Sequence, residues 1–323
     1  MARQLCASLR CVPPPVSDVE SVLRVLRREG AVCYRGTGVA HASQLARFLA
    51  PLVDGQSMAY FGGTNDRTTL SGGDGGTEAV LDTGSEPGHL RLREHSEMAY
   101  VDAWPGIIAF GCVRAPQRSR EQGQTTVVRA TDIVGALPTR FVERLRREGL
   151  RHHFWYHDAC VTDRAACAVK SWQDAFLTPE RSAVEALCHD RGWDHEWRDG
   201  GISISFRRDA FVMHPHTGDE VLFCTDLSGK WYDDWPPFGA LPDAQRPYSF
   251  TWGGESREVF SEHDRSQWSD AVDGARHLHA WEEGDVLICD NMLVMHGREP
   301  FEGSRTIGVV LAHPVARDDV ALG

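Results

Sequence analysis

The chain of 323 residues is poor in lysine and in net positive charge. It has only two lysines, Lys170 and Lys230, and its 46 acidic residues outnumber its 34 basic residues. A nucleic-acid-binding protein needs a cationic face to meet the phosphates, so the formal net charge of −12 argues against that class. The basic stretch "RFVERLRREGLRHH" from Arg140 is typical of a solvated helix face.

The sequence also lacks cysteine pairs and long hydrophobic runs. Its nine cysteines are an odd number without CxxC spacing, which indicates buried or free thiols in a reducing cytosol and not a disulfide framework. No apolar run approaches the length of a bilayer span, and "MARQLCASLRCVPPP" has no sustained apolar segment typical of a secretory signal. We therefore expect a cytoplasmic protein without a membrane partner.

What remains is the composition of an ordinary globular domain, 41% hydrophobic and 25% charged. Apolar runs such as "AVCYRG", "IIAFGCV" and "RTIGVVLAHPV" predict strands, whereas Ser17-Asp18-Val19-Glu20 and Thr178-Pro179 predict helix N-termini. There is no internal repeat and no interdomain linker. The sequence predicts a single domain over residues 1–323, mainly β with flanking helices, as a sandwich or barrel.

Residues 60–92 contain a long stretch rich in glycine, threonine and aspartate with almost no periodicity. Such a stretch inside a compact domain is usually a functional lid or a disordered linker. Because the stretch leads directly to His95, we expect it to contain a lid over an active site.

The triplet His95-Ser96-Glu97 places an imidazole and a carboxylate two residues apart, so both would point the same way on an extended strand. With 15 histidines and 46 acidic residues, roughly two such triplets are expected by chance, and the triplet alone does not establish a site. A third ligand is needed.

The C-terminal hairpin offers that ligand. Alternation along "DNMLVMH" places Val294 and His296 on one face and Leu293 and Met295 on the other. Arg305 follows on the next predicted strand, and an inward arginine near an inward histidine is costly to bury without an anion.

These residues together have a chemical rationale. Two histidines and one carboxylate form the facial set of non-haem Fe(II) oxygenases, which leaves three metal positions open. We predict that His95, Glu97 and His296 bind Fe(II), that the 2-oxo acid end of 2-oxoglutarate takes two positions, and that O2 takes the last. Arg305 then pairs bidentately with the far carboxylate of 2-oxoglutarate.

Several stretches support this interpretation by resemblance. In order between about Tyr60 and Ala312 they are "HSEMAY…WPGIIAF", "GQTTVVRATDIV", "WQDAF", "HPHTGDEVLF" and "GDVLICDNMLVMHGREPFEGSRTIGVVLA". Together they resemble the TauD/TfdA superfamily of Fe(II)/2-oxoglutarate-dependent dioxygenases, and more narrowly its SyrP-like branch of nonribosomal peptide and amino-acid natural-product pathways. The H-x-E stretch is also similar to clavaminate synthase-like enzymes.

The resemblance implies a double-stranded β-helix (jelly-roll) fold. It implies catalytic and metal-binding roles for His95, Glu97 and His296, and binding of 2-oxoglutarate by Arg305. It also implies a hydroxyl contact to 2-oxoglutarate from Thr125, which stands in the place of the family's "GGxT" threonine.

The sequence departs from the family pattern at several positions. The "GGxT" motif reads Gln122-Gly123-Gln124-Thr125, so its first glycine is absent. The usual proline and aspartate nearby are Thr126 and Arg129, and Cys224 stands where this branch often has asparagine.

Two further arginines are candidate substrate-binding residues. Arg67, in "GGTNDR", and Arg298, beside the distal histidine, have side chains suited to an anionic substrate or to the co-substrate. Ordinary ion pairs are the alternative for both.

By this resemblance the activity is oxidation of an amino acid or amino-acid-like small molecule, free or tethered to a carrier protein, with release of succinate and CO2. Hydroxylation of an unactivated carbon is the leading outcome, and desaturation, cyclisation and epoxidation are alternatives. Glu97 argues against halogenation, because halogenases of this superfamily replace the carboxylate with a small residue. An inactive jelly-roll binding or regulatory protein and a nucleic-acid demethylase are alternatives of other classes. The oligomeric state stays open.

A competing metal motif lies in the middle of the chain. His214-Pro215-His216 with Glu220 has the H-x-H-x3-E spacing of a cupin site. It falls on a predicted TGD turn, however, and it leaves His95 and Arg305 without a role, so we do not expect it to bind metal.

Overall fold

Two β-sheets packed face to face form the centre of the structure. It is a computed structural model that describes residues 11–12, 18–61, 63–65, 67–71, 79–84, 86–116, 122–161, 169–198, 200–236 and 238–321. The apolar inner faces of the two sheets meet in one core, and helices cover the outer faces. This arrangement confirms the predicted mainly β, jelly-roll architecture with flanking helices.

The strands of the described residues, in chain order, are β1 Cys11–Val12, β2 Ala31–Tyr34, β3 Thr69–Ser71, β4 Val80–Leu81, β5 Leu92–His95, β6 Ala103–Arg114, β7 Thr125–Arg129, β8 Leu150–His157, β9 Asp194–Arg198, β10 Gly201–Arg208, β11 Phe211–Met213, β12 Glu220–Leu222, β13 Tyr248–Trp252, β14 His277–His279, β15 Val286–Asp290, β16 Val294–Arg298 and β17 Thr306–Ala316. The α-helices are α1 Val19–Glu29, α2 Ala42–Val53, α3 Ala130–Ala136, α4 Thr139–Glu148, α5 Trp172–Phe176, α6 Arg181–Asp190 and α7 Glu262–Ala275.

The larger central sheet has the order β1-β2-β15-β6-β17-β4-β3, and the smaller has the order β14-β7-β16-β5. Strands β15, β6 and β17 pair antiparallel, as do β7, β16 and β5. Phe110, Leu287 and Val309 of the larger sheet share one core with Val127 and Val294 of the smaller.

Helices cover the outer faces of both sheets. Leu26 of α1 and Leu49 of α2 pack on the outer face of the larger sheet, and Leu145 of α4 and Trp268 of α7 pack outside the smaller one. Met295 belongs to this outer layer, whereas its neighbour Val294 belongs to the inner core. The predicted alternation is therefore confirmed for Val294 and Met295, whereas Leu293, which precedes β16, packs on the inner core and not on the side of Met295 as predicted.

A third sheet, β13-β8-β10-β9, and the hairpin β11-β12 lie beside this sandwich. Strands β8 and β10 pair over their full lengths from Leu150↔Arg208 to His157↔Gly201. Phe154 of β8 and Tyr248 and Phe250 of β13 line the same cavity as His95 and His296, so this sheet forms one wall of that cavity.

Two helices begin later than their sequence signals predict. Helix α1 begins after Asp18, whose carboxylate accepts the Ser21 amide N–H; Ser17 lies outside the described residues. Helix α6 begins at Arg181 and not at Thr178-Pro179. The Thr178 hydroxyl instead accepts the Glu180 amide N–H in a turn that precedes the helix.

The segment 60–92 has more regular structure than its composition indicates. Strands β3 and β4 pair with each other, and Leu81 of β4 pairs with Val309 at the edge of the larger sheet. Residues 62, 66, 72–78 and 85 of this segment lie outside the described residues. Among the described residues, no helix is long and apolar enough to cross a membrane.

Candidate functional site

Two adjacent strands of the smaller sheet bring together histidines that are two hundred positions apart in sequence. His95 ends β5, and His296 lies directly opposite it in the antiparallel β5–β16 pair. Their ring centroids are 4.6 Å apart. Gly297 permits this approach, because a Cβ at that position would lie 2.5 Å from the Leu92 carbonyl oxygen.

Glu97 reaches the same point by a turn and not by continuing the strand. Strand β5 ends at His95, and Met98 adopts a left-handed conformation with φ of 60°. The stretch is therefore not extended through both residues, which was the condition for His95 and Glu97 to share one face of a strand, although the two side chains still converge. The strand ends because the Ser96 amide N–H donates to the Cys224 carbonyl and leaves the β5 ladder.

Asn291 fixes the Glu97 backbone in this turn. Its Oδ1 accepts the Glu97 amide N–H at 2.7 Å, and its Nδ2 donates to the carbonyl oxygens of Glu97 at 3.0 Å and Pro105 at 2.8 Å. The side chain is fully buried. Sequence reasoning missed this residue, although it lies in the quoted stretch "GDVLICDNMLVMHG" at the end of strand β15.

The ligand atoms of His95, Glu97 and His296 all lie within 4.8 Å of one another, and His296 Nε2 is 3.8 Å from Glu97 Oε2. His95 Nδ1 lies 2.8 Å from the Arg93 carbonyl oxygen, which can only accept. The Nδ1 nitrogen therefore carries the proton, and Nε2 keeps a lone pair that can bind a metal.

The electrostatics of the site favour neutral imidazole and ionised carboxylate. Burial, followed by the neighbouring His296, lowers the pKa of His95 to about 4. Burial alone would raise the pKa of Glu97, but Arg67, followed by the two histidines, holds it well below its usual range. Near neutral pH, His95 and Glu97 thus have the protonation states that metal binding requires.

Arg305 lies in the same cavity without a carboxylate partner among the described residues. Its Nε is buried and unpaired, and one terminal nitrogen is 3.4 Å from Thr125 Oγ1. Burial and the neighbouring Arg298 lower its pKa to about 9. A buried guanidinium without an acidic partner is complementary to an anionic ligand.

The Thr125 hydroxyl is oriented by its neighbours. Trp281 Nε1 donates to Thr125 Oγ1 at 3.0 Å, and Arg305 approaches the same oxygen. Because both neighbours are donors, the hydroxyl proton is left for an acceptor in the cavity.

The structure explains why this chain keeps the second glycine of the "GGxT" motif, Gly123. It has φ of 60°, and a Cβ there would lie 3.0 Å from Arg305 Cδ and 3.1 Å from Phe301 Cβ. The second position of the motif therefore requires glycine, both for its backbone conformation and for the arginine packed on it.

The two predicted substrate-binding arginines have different surroundings. Arg298 is buried and donates to the carbonyl oxygens of Pro87 at 2.7 Å and Leu90 at 3.0 Å, which supports the segment leading to β5. Arg67 donates to Glu97 Oε2 at 2.6 Å through one terminal nitrogen, and its other terminal nitrogen is buried and unpaired. Arg67 thus lines the cavity next to the candidate metal ligands.

The cupin-like motif does not form a metal site in the described structure. His214 Nε2 lies 3.0 Å from Asp290 Oδ2, and its Nδ1 accepts the amide N–H groups of His216 and Thr217. Both ring nitrogens of His214 therefore already have partners, which are Asp290 on one side and amide groups of the turn on the other. Glu220 pairs instead with Arg146 at 2.8 Å.

The sequence did not indicate a second buried group of potential ligands, Cys33, His279 and Asp285. Arg35 lies 3.0 Å from Asp285 Oδ2. None of these three potential ligands lines the cavity that contains His95, Glu97 and His296.

Comparison with known proteins agrees with the fold and with the family that the sequence motifs resemble. A family model described as "Taurine catabolism dioxygenase TauD, TfdA family" matches residues 13–311. The dapdiamide synthesis protein DdaC of Enterobacter agglomerans is 27% identical over 305 residues, which cover 90% of this chain and 84% of that protein. The clavaminate synthase-like protein At3g21360 of Arabidopsis thaliana is 24% identical over 291 residues, which cover 88% of this chain and 81% of that protein.

Solved structures show the same fold at low identity. PvcB of Pseudomonas aeruginosa, described as an Fe, alpha-ketoglutarate dependent oxygenase from an isonitrile synthetic pathway, superposes with a TM-score of 0.52 at 16% identity, covering 94% of this chain and 84% of that chain. AAD-2 in complex with Mn(II) and N-oxalylglycine superposes with a TM-score of 0.51 at 12% identity, covering 97% and 92%.

The facing sheets, with a His–Glu–His group and a buried arginine in one cavity, define a jelly-roll protein of the dioxygenase class. The chain belongs to the TauD/TfdA family. It is therefore a dioxygenase-type oxidoreductase.

Proposed function

We propose that the chain is an Fe(II)- and 2-oxoglutarate-dependent oxygenase that hydroxylates an unactivated carbon of an amino acid or amino-acid-derived natural-product intermediate. O2 is the oxidant, and succinate and CO2 are the co-products. The observation that carries the proposal is the convergence of His95, Glu97 and His296 in one cavity with an arginine that has no carboxylate partner among the described residues.

The donor set fits Fe(II). Two neutral imidazoles and one carboxylate suit a divalent first-row metal, and three protein ligands leave positions open for other ligands. His95 presents Nε2 because the Arg93 carbonyl holds its Nδ1 proton. With Glu97 ionised, the three ligands carry one negative charge, so a bound Fe(II) keeps a net positive charge that attracts an anionic co-substrate.

Arg305 and Thr125 fit the far carboxylate of 2-oxoglutarate. Arg305 supplies N–H donors, among them a buried Nε without a partner among the described residues, and Thr125 supplies the hydroxyl proton that Trp281 leaves free. A carboxylate held by both would restore a charge partner to Arg305.

When bound, Fe(II) and 2-oxoglutarate supply O2 activation and oxidation of the substrate C–H bond. The chain's own residues position and shield these groups. Phe110 packs edge-on to His296 at 5.1 Å between ring centroids, and Trp231 packs edge-on to His95 at 5.1 Å. These rings restrict the imidazole orientations and limit the access of water.

Arg67 supports the substrate assignment, since it lines the cavity that contains Glu97 and one of its terminal nitrogens has no partner among the described residues. We assign Arg298 to support of residues 86–90, because its terminal nitrogens donate to backbone carbonyls there. We place the lid within residues 60–92, since Tyr60, Arg67 and Thr83 line the cavity.

The names of two similar proteins support an amino-acid-derived substrate. DdaC is described as a dapdiamide synthesis protein, and PvcB belongs to an isonitrile synthetic pathway. We propose a cytoplasmic enzyme of natural-product biosynthesis whose substrate is free or bound to a carrier protein. Desaturation, cyclisation and epoxidation are the outcomes that the same chemistry allows in place of hydroxylation.

The test is an assay for succinate that depends on both O2 and 2-oxoglutarate, in the presence of Fe(II) and across a panel of amino acids. Mass spectrometry of the amino acid should show a gain of one oxygen. Loss of two hydrogens would indicate desaturation or cyclisation and not hydroxylation. Absence of any succinate from iron-loaded protein would indicate the inactive binding protein.

His296→Ala should abolish succinate formation, and the exposed His216→Ala should not. Equal activity of both variants would contradict the proposed iron site.

A further inference from the structure

Three residues that line the cavity each carry a buried polar atom that has no partner among the described residues. These atoms are Asn65 Oδ1, Glu86 Oε2 and one terminal nitrogen of Arg67, and all three residues line the cavity that contains Glu97. Buried polar groups are normally hydrogen-bonded, and each unpaired one costs free energy. Three such atoms on residues that line one cavity indicate that a ligand completes them.

The orientation of Asn65 follows from its neighbour. Its amide lies 2.6 Å from Glu86 Oε1, and a carboxylate oxygen can only accept, so Nδ2 faces Glu86. Asn65 Oδ1 is therefore the atom left without a partner, and it is an acceptor.

Gly84 makes room for the Glu86 carboxylate. It has φ of 107°, and a Cβ at this position would lie 2.3 Å from Glu86 Oε2. The unpaired Glu86 oxygen therefore occupies the space that the Cβ of any other residue at position 84 would fill. The loop sequence Thr83-Gly84 is thus adapted to a carboxylate at this place.

The chemistry of the unpaired atoms identifies their ligand. Two acceptors, one of them anionic, are complementary to a cationic donor with several N–H groups, and a primary ammonium is such a donor. The unpaired N–H of Arg67 is complementary to a carboxylate oxygen. An ammonium and a carboxylate side by side constitute the head group of an α-amino acid.

We propose that Glu86 and Asn65 bind the free ammonium group of an amino-acid substrate and that Arg67 binds its carboxylate. This inference rests on the proposed function, since it names the substrate's head group in the same cavity. Acylation of the nitrogen removes both the charge and N–H donors, so an N-acylated amino acid is excluded. Esterification removes the charge that pairs with Arg67.

The experiment uses the full chain with Fe(II), 2-oxoglutarate and O2. The probes are the twenty standard amino acids, each as free acid, N-acetyl derivative and methyl ester, and the readout is succinate above the level without amino acid. At least one free amino acid should stimulate succinate formation, and its N-acetyl derivative and methyl ester should stimulate it much less.

Glu86→Gln keeps the shape of the side chain and removes its charge. It should raise the KM of the stimulating amino acid about thirtyfold or more, because the ammonium would lose a buried charge partner. Glu255→Gln removes one negative charge from an exposed position and should leave that KM unchanged. Circular dichroism spectra establish that both variants are folded.

The outcomes separate this inference from the proposed function. Equal stimulation by free and N-acetylated amino acids, or an unchanged KM in Glu86→Gln, would overturn the ammonium site. A methyl ester that works as well as the free acid would overturn the carboxylate contact. Succinate formed at a basal level that no amino acid raises would refute the amino-acid substrate and leave the oxygenase assignment intact, whereas no succinate at all would refute the proposed function.

Discussion

The buried side chain of Asn291 holds the candidate metal ligand Glu97 in position without being a candidate ligand itself. It makes three hydrogen bonds, two of them to the Glu97 backbone, across 194 positions of sequence. These bonds hold the turn in which Glu97 leaves strand β5. Asn291 is therefore a positioning residue for the candidate metal centre.

Asn291→Ala should weaken Fe(II) binding and destabilise the protein. Three buried backbone groups would lose their partner, at about 1–3 kcal/mol for each unpaired group. The measurements are the Fe(II) dissociation constant and the free energy of unfolding.

Met295→Ala is the matched control, because Met295 is fully buried on the outer face of the same hairpin. It should cost about 2–5 kcal/mol of stability and leave Fe(II) affinity unchanged. Equal loss of Fe(II) affinity in both variants would mean that Asn291 acts only through overall stability.

Arg305→Ala should raise the KM for 2-oxoglutarate by about thirtyfold or more, because a buried carboxylate would lose its charged partner. Arg305→Lys should give a smaller increase, since lysine keeps the charge but loses the bidentate geometry. Steady-state kinetics with varied 2-oxoglutarate measure both effects. An unchanged KM in Arg305→Ala would remove this residue from co-substrate binding.

The residues that were predictable from sequence are those whose chemistry alone is unusual. His95, Glu97 and His296 have a spacing that a facial iron site explains, and Arg305 needs an anion to be buried. Asn65, Glu86 and Asn291 carry no such pattern, because their roles depend on which backbone groups and side chains the fold places beside them.

At the scale of elements, glycines decide how closely neighbouring segments approach. Gly123 has φ of 60° and lies against Arg305 and Phe301, just before strand β7. Gly218, in the turn between β11 and β12, has φ of 72°, and a Cβ added there would meet nothing within 4 Å. The two positions share backbone strain but differ in their neighbours.

Gly123→Ala should therefore raise the KM for 2-oxoglutarate, and Gly218→Ala should not. Both variants should lose about 1–2 kcal/mol of stability from the left-handed backbone conformation. Only Gly123→Ala places a methyl group against the Arg305 side chain. Kinetics and denaturant unfolding of the pair test this, and equal KM values in the two variants would count against the proposed role of this contact.

Element types were more predictable than element boundaries. The apolar alternation of β16 follows from period two and was correct, because Met295 and Val294 face different cores. The ends of β5, α1 and α6 were not, since individual hydrogen bonds decide them. Ser96 bonds to Cys224 across the fold, and no local pattern reports such a distant partner.

At the scale of the whole molecule, folding buries histidines in neutral form. Burial, followed by Arg317, holds the pKa of His152 well below its usual range. Burial, followed by Arg35, lowers the pKa of His279 to about 3. Both pKa values rise on unfolding, so the unfolded chain takes up protons at mildly acidic pH that the folded chain does not.

Stability should therefore decrease as the pH falls below the ordinary histidine pKa. His279 contributes a loss of about 2 kcal/mol between about pH 7.5 and about pH 5, and His152 contributes a loss of the same sign. Denaturant unfolding across this range measures it. His152→Gln should reduce the slope, and the exposed His189→Gln should leave it unchanged. A flat profile in the unsubstituted protein would contradict the neutral burial of these histidines.

The whole fold serves to bring two distant parts of the chain to one point between the facing sheets. The most direct test is an anomalous diffraction map from crystals grown with Mn(II) and 2-oxoglutarate. We predict a manganese peak within coordination distance of His95, Glu97 and His296. A peak at Cys33, His279 and Asp285 instead, or a peak that none of the three predicted ligands contacts, would contradict the account.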